Sequence, residues 1–455
     1  MQNKISSFFI PDSNYSKKIL ALALPVIAGL STQMLLSLVD TAMVGRLENS
    51  EYTLAAMALG LLATWAIVAF CSSLSTGTHV LVARNFGEKN FVACKDILYN
   101  SFILGILIGM VIAAAGWYLS ESIAFFVAKD DRVAELTTQY MKYRFLGLPF
   151  FLITVAYRGF FFGIGQTKIF MISAIITNLL NILFNYMFIF GEFGAPKMGV
   201  AGASIGTSLA TVADAAFYTI ISFSFKSIRV KFNIFHRLRI MKDTIKAILK
   251  LSFPVSLQNV FTLLGFLSFV AVTGLLDTTS QGASQTIIST LFISYLPCNG
   301  FGIAVQTLVG NYATSKDSYL VQKYTFETAK IATIFTLLLS IIFIFFPEYL
   351  LMITTNNQSI IETAIPGLRV AGVAQIFFGG GMVFAYALQA LGKTFYVMLV
   401  EMITNLLVFV PLSYLLGIVI FQNLSGAWSA LIIYTILYII LMFIKFRKES
   451  KVTVN

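Results

Sequence analysis

The sequence predicts an all-α integral membrane protein with twelve transmembrane helices in two six-helix lobes, related by a pseudo-twofold axis along the membrane normal. Composition is the first observation: the chain has 455 residues, 58% of them hydrophobic and only 11% charged, with a mean hydropathy of +0.85. That much apolar surface needs a bilayer. Periodic length is the second, because apolar stretches of about 20 residues or more, enough to cross roughly 30 Å of hydrocarbon, recur along the chain. Duplication is the third. Pro25 and Gly45 recur as Pro254 and Gly274, and Gly165-Gln166-Thr167 before Thr177-Asn178-Leu179-Leu180 recurs as Gly392-Lys393-Thr394 before Thr404-Asn405-Leu406-Leu407, each with its spacing kept.

The predicted spans lie at 18–45, 53–80, 96–118, 137–163, 168–191, 199–225, 247–275, 282–310, 326–346, 360–390, 395–421 and 425–444. Six fall in each half. An even number per half leaves both halves in the same orientation, which places the repeat axis along the membrane normal. The domains expected are an N-lobe at 1–226, a cytoplasmic linker at 227–246 and a C-lobe at 247–455.

Lys and Arg are concentrated on one side of this arrangement, at Lys17 and Lys18, Arg84, Lys89 and Lys95, the basic 226–250 connection, and the tail from Lys445 to Lys451. The positive-inside rule makes that side cytoplasmic, with both termini there. It also accounts for the net charge of +11 without a nucleic-acid partner, since no aromatic spacing for base stacking accompanies the basic residues. The 226–250 stretch reads as a linker with a short amphipathic piece on the anionic inner leaflet. The polar start, interrupted by Pro11, leads into an apolar run too long for a signal-peptide core, so no cleavable signal is expected. Cys71, Cys94 and Cys298 form neither a metal-like spacing nor a framework of pairs.

Ionisable groups inside hydrocarbon are costly, and those present face a partner or a pathway. Asp40 heads the set, with Gln33 seven residues earlier on the same helical face. Asn178, Asn181 and Asn185 draw an amide stripe on the fifth span, and Thr207 of the sixth reaches a similar depth to Asp40. By repeat alignment Asp40 corresponds to Phe269, Asn181 to Val408, Asn185 to Leu412 and Thr207 to Leu431. The polar constellation therefore exists in one half only, which suggests cation coupling in the first lobe and apolar binding between lobes. Asn178 has a counterpart in Asn405 and reads as packing. Asn178, Asp214 and Glu401 are secondary candidates, Arg144 and Arg369 read as snorkelling or lobe-fixing residues, and neither His79 nor His236 has a ligand partner nearby in sequence.

Gly202-Ala203-Ser204-Ile205-Gly206 matches the hydrolase pattern G-x-S-x-G, yet it opens a membrane helix with no strand before it, and its small residues suit close helix packing instead. With no ATP-binding loop, zinc-protease motif or CxxC, nothing points to an enzyme. Internal duplication of membrane segments is a transporter signature.

Taken together, Pro25 with Val39-Asp40-Thr41 and Val44-Gly45, Leu81-Val82-Ala83-Arg84, Gly163 to Lys168, Asn181 to Asn185, Gly199 to Ala203 and Gln306 to Gly310 resemble the multidrug and toxic compound extrusion (MATE) family, DinF-like branch. The resemblance implies a central cleft and export of small organic cations or amphiphiles driven by H⁺ or Na⁺, with no cofactor beyond the coupling ion. It assigns the first-helix acid to Asp40, its amide to Gln33 and the sixth-helix threonine to Thr207. The branch often has Asn followed four residues later by Asp on the fifth helix; this chain has Asn181 and then Asn185. In place of the second-lobe acids that other branches use for Na⁺, the seventh span offers Gln258 and Asn259.

The implied protein is a monomeric, multi-pass antiporter of the cell (inner) membrane, surrounded by membrane lipid. Its expected cycle is exchange at Asp40, because an apolar surrounding disfavours the charged form of a carboxyl and lets it take a proton. Protonation would rearrange the bonds to Asn181 and Asn185 and bend the first span at Pro25, where a backbone donor is missing. H⁺ is the simpler coupling ion, with Na⁺ at Asp40 the other reading. The competing function is a lipid or oligosaccharide flippase of the same superfamily.

Overall fold

The computed structural model describes residues 11–47, 50–234, 239–314 and 317–452. The ionisable residues Lys4, Glu48, His236, Arg237 and Lys316 lie outside the described residues. The described chain is helical with no strand. In order, the helices are α1 (Ser13–Val44), α2 (Ser50–Ser72), α3 (Leu74–Gly87), α4 (Phe91–Val127), α5 (Asp131–Leu146), α6 (Leu148–Gly163), α7 (Thr167–Phe190), α8 (Val200–Ser224) and the short α9 (Lys226–Phe232). The second repeat follows with α10 (Lys242–Gly274), α11 (Thr278–Ala313), α12 (Ser318–Phe345), the short α13 (Pro347–Leu351), α14 (Gln358–Ala390), α15 (Thr394–Ile420) and α16 (Leu424–Val452).

Eleven of these segments, α2 and α3 counting as one run, are long and apolar enough to cross a membrane. The bent pair α5 and α6 passes jointly and makes the twelfth. Each predicted span thus has its helix. The fourth is broken by 47°, because Pro149 supplies no backbone N–H and its ring clashes with the preceding turn.

Sequence chemistry sets the ends. Asn90, Asp130, Asp277, Asp317 and Asn357 cap α4, α5, α11, α12 and α14 by accepting first-turn backbone N–H bonds. The Asp277 carboxyl, held by Ser280, lies below its usual range for that reason. Gly191 ends α7 in the left-handed conformation at φ +81°.

The helices form two compact units, residues 28–256 and residues 1–27 with 257–455. Their boundaries fall inside α1 and α10, two residues after Pro25 and Pro254, whereas the sequence places the lobe boundaries at 226 and 247. The 28–256 unit is cored by Leu98, Leu152, Phe160 and an aromatic stack in which the Tyr157 and Tyr218 rings lie 5.5 Å apart. In the other unit Phe269 packs on Phe409 at 4.8 Å and on Trp428 at 4.7 Å.

The amphipathic piece expected in the basic connection is α9. Its Ile228 and Phe232 are buried in the first unit's core, so protein supplies their apolar cover. The three cysteines are free and buried. Gly202 packs so closely on α7 that an added Cβ would overlap the Phe188 carbonyl, and Ser204 bonds the Ala201 carbonyl of its own helix. The segment is a packing surface, as its small residues suggest.

Candidate functional site

The i, i+3, i+7 spacing of Asn178, Asn181 and Asn185 puts their side chains on one stripe of α7. In the 28–256 unit that stripe meets the part of α1 carrying Asp40. Asn185 Nδ2 donates to Asp40 Oδ1 at 2.8 Å and to Asn181 Oδ1 at 3.0 Å. Both amide hydrogens of Asn185 are thereby used. Asn181 and Asn185 are buried, at 1% and 0% exposure, while Asp40 is half-buried.

Gly206 of α8 completes the arrangement from below. A Cβ at this position would collide with Asn185 Oδ1, so glycine is what lets the amide lie flat with its nitrogen toward Asp40. The same oxygen is buried without a hydrogen-bond partner. From α5, the positive charge of Arg144 acts on the Asp40 carboxyl, and Asp40 in turn acts on the Tyr140 hydroxyl. Sequence reading gave Arg144 only a snorkelling or lobe-fixing role and missed Tyr140. The usable signal was an arginine and a tyrosine one helical turn apart at the entry to the fourth span.

The remaining predicted residues scatter. Thr207 is half-buried, and its hydroxyl bonds the Ala203 carbonyl of α8 at 2.8 Å. Gln33 is exposed and, among the described residues, no side-chain hydrogen bond joins it to Asp40. Asn178 donates to Thr32 Oγ1 at 2.9 Å, tying α7 to α1. Pro25 lies within α1.

Asp214 sits elsewhere in the unit, paired with Arg158 at 3.1 Å and hydrogen-bonded by Ser173. The Arg158 guanidinium also covers the Phe170 ring at 5.2 Å. Sequence reading did not single out Arg158, although any arginine in an apolar span calls for a partner. His79 is buried beside the Phe162 ring.

The other unit has polar clusters of its own. Gln306 donates to Gln389, which donates to Gln258. Ser294 donates to Gln375 at 2.6 Å. Glu401 collects Thr262, Asn405 and Tyr434. Asn405 is therefore more than the packing twin of Asn178.

Among the described residues no cluster of three or more His, Cys, Asp or Glu could hold a metal ion. At Asp40 a small cation would find one carboxylate; Asn181 Oδ1 is taken by Asn185, and Asn185 Oδ1 is turned toward Gly206.

Duplicated apolar spans with a carboxyl–amide cluster in each unit define a polytopic membrane transporter. The MatE family model matches residues 25–187 and, a second time, 254–415, so the chain belongs to the MATE family and is a transporter, not an enzyme. Each match begins at the proline of its repeat. Relatives include a probable multidrug resistance protein NorM of Thermotoga maritima, 27% identical over 417 residues, covering 91% of this chain and 89% of the relative. The multidrug export protein MepA of Staphylococcus haemolyticus is 25% identical over 454 residues, covering 98% of this chain and 97% of the relative. A solved outward-facing conformation of a multidrug resistance MATE family transporter of the MOP superfamily shares the fold, with a TM-score of 0.88 and 20% identity over 96% of each chain.

Proposed function

We propose that the protein is an antiporter of the cell membrane that exports small organic cations or amphiphilic drugs by alternating access, driven by H⁺ rather than Na⁺. The observation that supports coupling at Asp40 is the Asn185 donor bond: its carboxyl is a half-buried acid held by an amide whose two hydrogens are both committed. Protonation of Asp40 weakens the charge-assisted bond from Asn185 and gives the carboxyl an O–H of its own to donate, and that is a local switch between two hydrogen-bond patterns. Proton coupling is favoured over Na⁺ because Asn185 stands where a second carboxylate would be needed to compensate a bound metal cation. The multidrug relatives support the substrate class. Both termini and the 226–250 connection are cytoplasmic in this reading, and Pro25 is the hinge.

Transport of a fluorescent organic cation by purified protein in vesicles, with pH and Na⁺ gradients imposed separately, tests it. A pH gradient alone drives uptake if the reading holds. Transport that needs Na⁺ at every pH and ignores the proton gradient overturns it.

A further inference from the structure

Of the buried acids outside the Asp40 mechanism, Asp214 is paired with Arg158 and Glu327 with Lys323 and Lys330, whereas Glu401 is held by neutral groups. Glu401 lies on α15 and is 3% exposed. Its Oε1 accepts from Thr262 Oγ1 at 3.1 Å, Asn405 Nδ2 at 3.2 Å and Tyr434 OH at 3.1 Å, donors supplied by α10, α15 and α16. Among the described residues no cation pairs with it. The titratable groups facing it are Tyr434 and Tyr438 of α16 and Tyr295 of α11, with Cys298 and Tyr386 behind Tyr295; α10 contributes Thr262 and Gly265.

A structural hydrogen-bond hub could be built from neutral groups at far lower cost, since an unpaired charge in hydrocarbon is strongly opposed. Three donors converging on one oxygen are the opposite provision, as they favour the carboxylate. The two influences oppose each other at a single group, and their balance leaves both protonation states accessible to it. Asn405 supplies a second, independent mark. Its Oδ1 is buried with no hydrogen-bond partner, and it lies so close over Gly265 that a Cβ there would collide with it. The amide is thus oriented nitrogen-first toward Glu401, as Gly206 orients Asn185 toward Asp40. Two residues after Glu401 the helix widens to π geometry over Ile403–Phe409, a distortion frequent at functional sites.

Repeat alignment pairs Glu401 with Ala174 and Thr262 with Gln33. The cluster is therefore no copy of the Asp40 site.

We propose that Glu401 is a second proton-binding carboxyl of this transporter, separate from Asp40. One H⁺ adds to the carboxylate at Oε2, because Oε1 is saturated by its three donors, and its loss restores the ion. This rests on the coupled-transport reading for its role in export, but the protonation itself does not.

Infrared difference spectra of the purified protein in lipid, recorded between acidic and alkaline pH, test it directly through the carboxylic C=O band. Asp40→Asn keeps a titrating buried-acid band that Asp40→Asn with Glu401→Gln lacks, any band of the ion-paired Asp214 and Glu327 being common to both. Tyr434→Phe and Thr262→Val, which keep the acid and remove one donor each, move its midpoint by about one pH unit toward alkaline. A band absent from Asp40→Asn, or unchanged by Glu401→Gln, or displaced by added Na⁺ at constant pH, overturns the proposal. If instead the bands behave as stated while a pH gradient drives no transport, the coupling reading fails and the second site stands.

Discussion

Asn185 donates to Asp40 across 145 positions of sequence, at 2.8 Å. A carboxylate at 185 could not make that bond while both groups are ionised. The asparagine there is consequently part of the site's chemistry, and the expected outcomes below follow from it and from the clusters around it.

Asp40→Asn abolishes coupled export while expression and folding stay at wild-type levels. The substituted amide oxygen still accepts from Asn185, so the local geometry is kept and only the titrating proton is lost. Drug resistance of cells carrying the variant, at matched protein level, is the measurement; wild-type resistance refutes the role of Asp40.

Asn185→Asp moves the pH dependence of export toward alkaline. A second negative charge against Asp40 makes the proton the pair retains harder to lose, by the like-charge effect, and the substitution removes the donor that stabilises the ionised form. Initial rates of proton-driven uptake across a pH series give the shift, and an unchanged profile counts against the pairing of these residues.

Gly206→Ala displaces the Asn185 amide, because the new methyl occupies the space of its oxygen. Overpacking of this kind costs about 1–3 kcal/mol. Thermal unfolding in detergent should show the destabilisation, and transport should fall more than stability alone explains, since the bond to Asp40 is broken.

Arg158→Met destabilises the 28–256 unit by about 3–5 kcal/mol, because it strands the Asp214 carboxyl inside the unit at 2% exposure. Combining it with Asp214→Leu recovers most of the loss, as a buried ion pair is generally replaceable by apolar packing. Equal melting temperatures for the single and double variants would show that the pair is not coupled.

Cysteines introduced as His236→Cys and Asp130→Cys, in a background lacking Cys71, Cys94 and Cys298, label from opposite faces of intact cells with an impermeant reagent. Labelling of both from outside contradicts the assigned topology.

Helix number, order and the duplicated plan were legible in the chain, because span length and apolarity are local quantities that the bilayer itself imposes. So was the α7 stripe of Asn178, Asn181 and Asn185, since helical periodicity alone aligns it with one face. The same arithmetic put Gln33 on the face of Asp40, yet face is not contact: a partner must come from another helix, and the partner of Asp40 is Asn185. Asp214 with Arg158, and Glu401 with Thr262 and Tyr434, join residues 56, 139 and 33 positions apart. No spacing rule reaches that far. The sequence by itself determined which groups are too polar for hydrocarbon and must find partners; the tertiary structure alone decided which partners, because hydrogen bonds are settled within about 3 Å and only helix packing, down to the bare faces of Gly206 and Gly265, brings groups from separate helices that close.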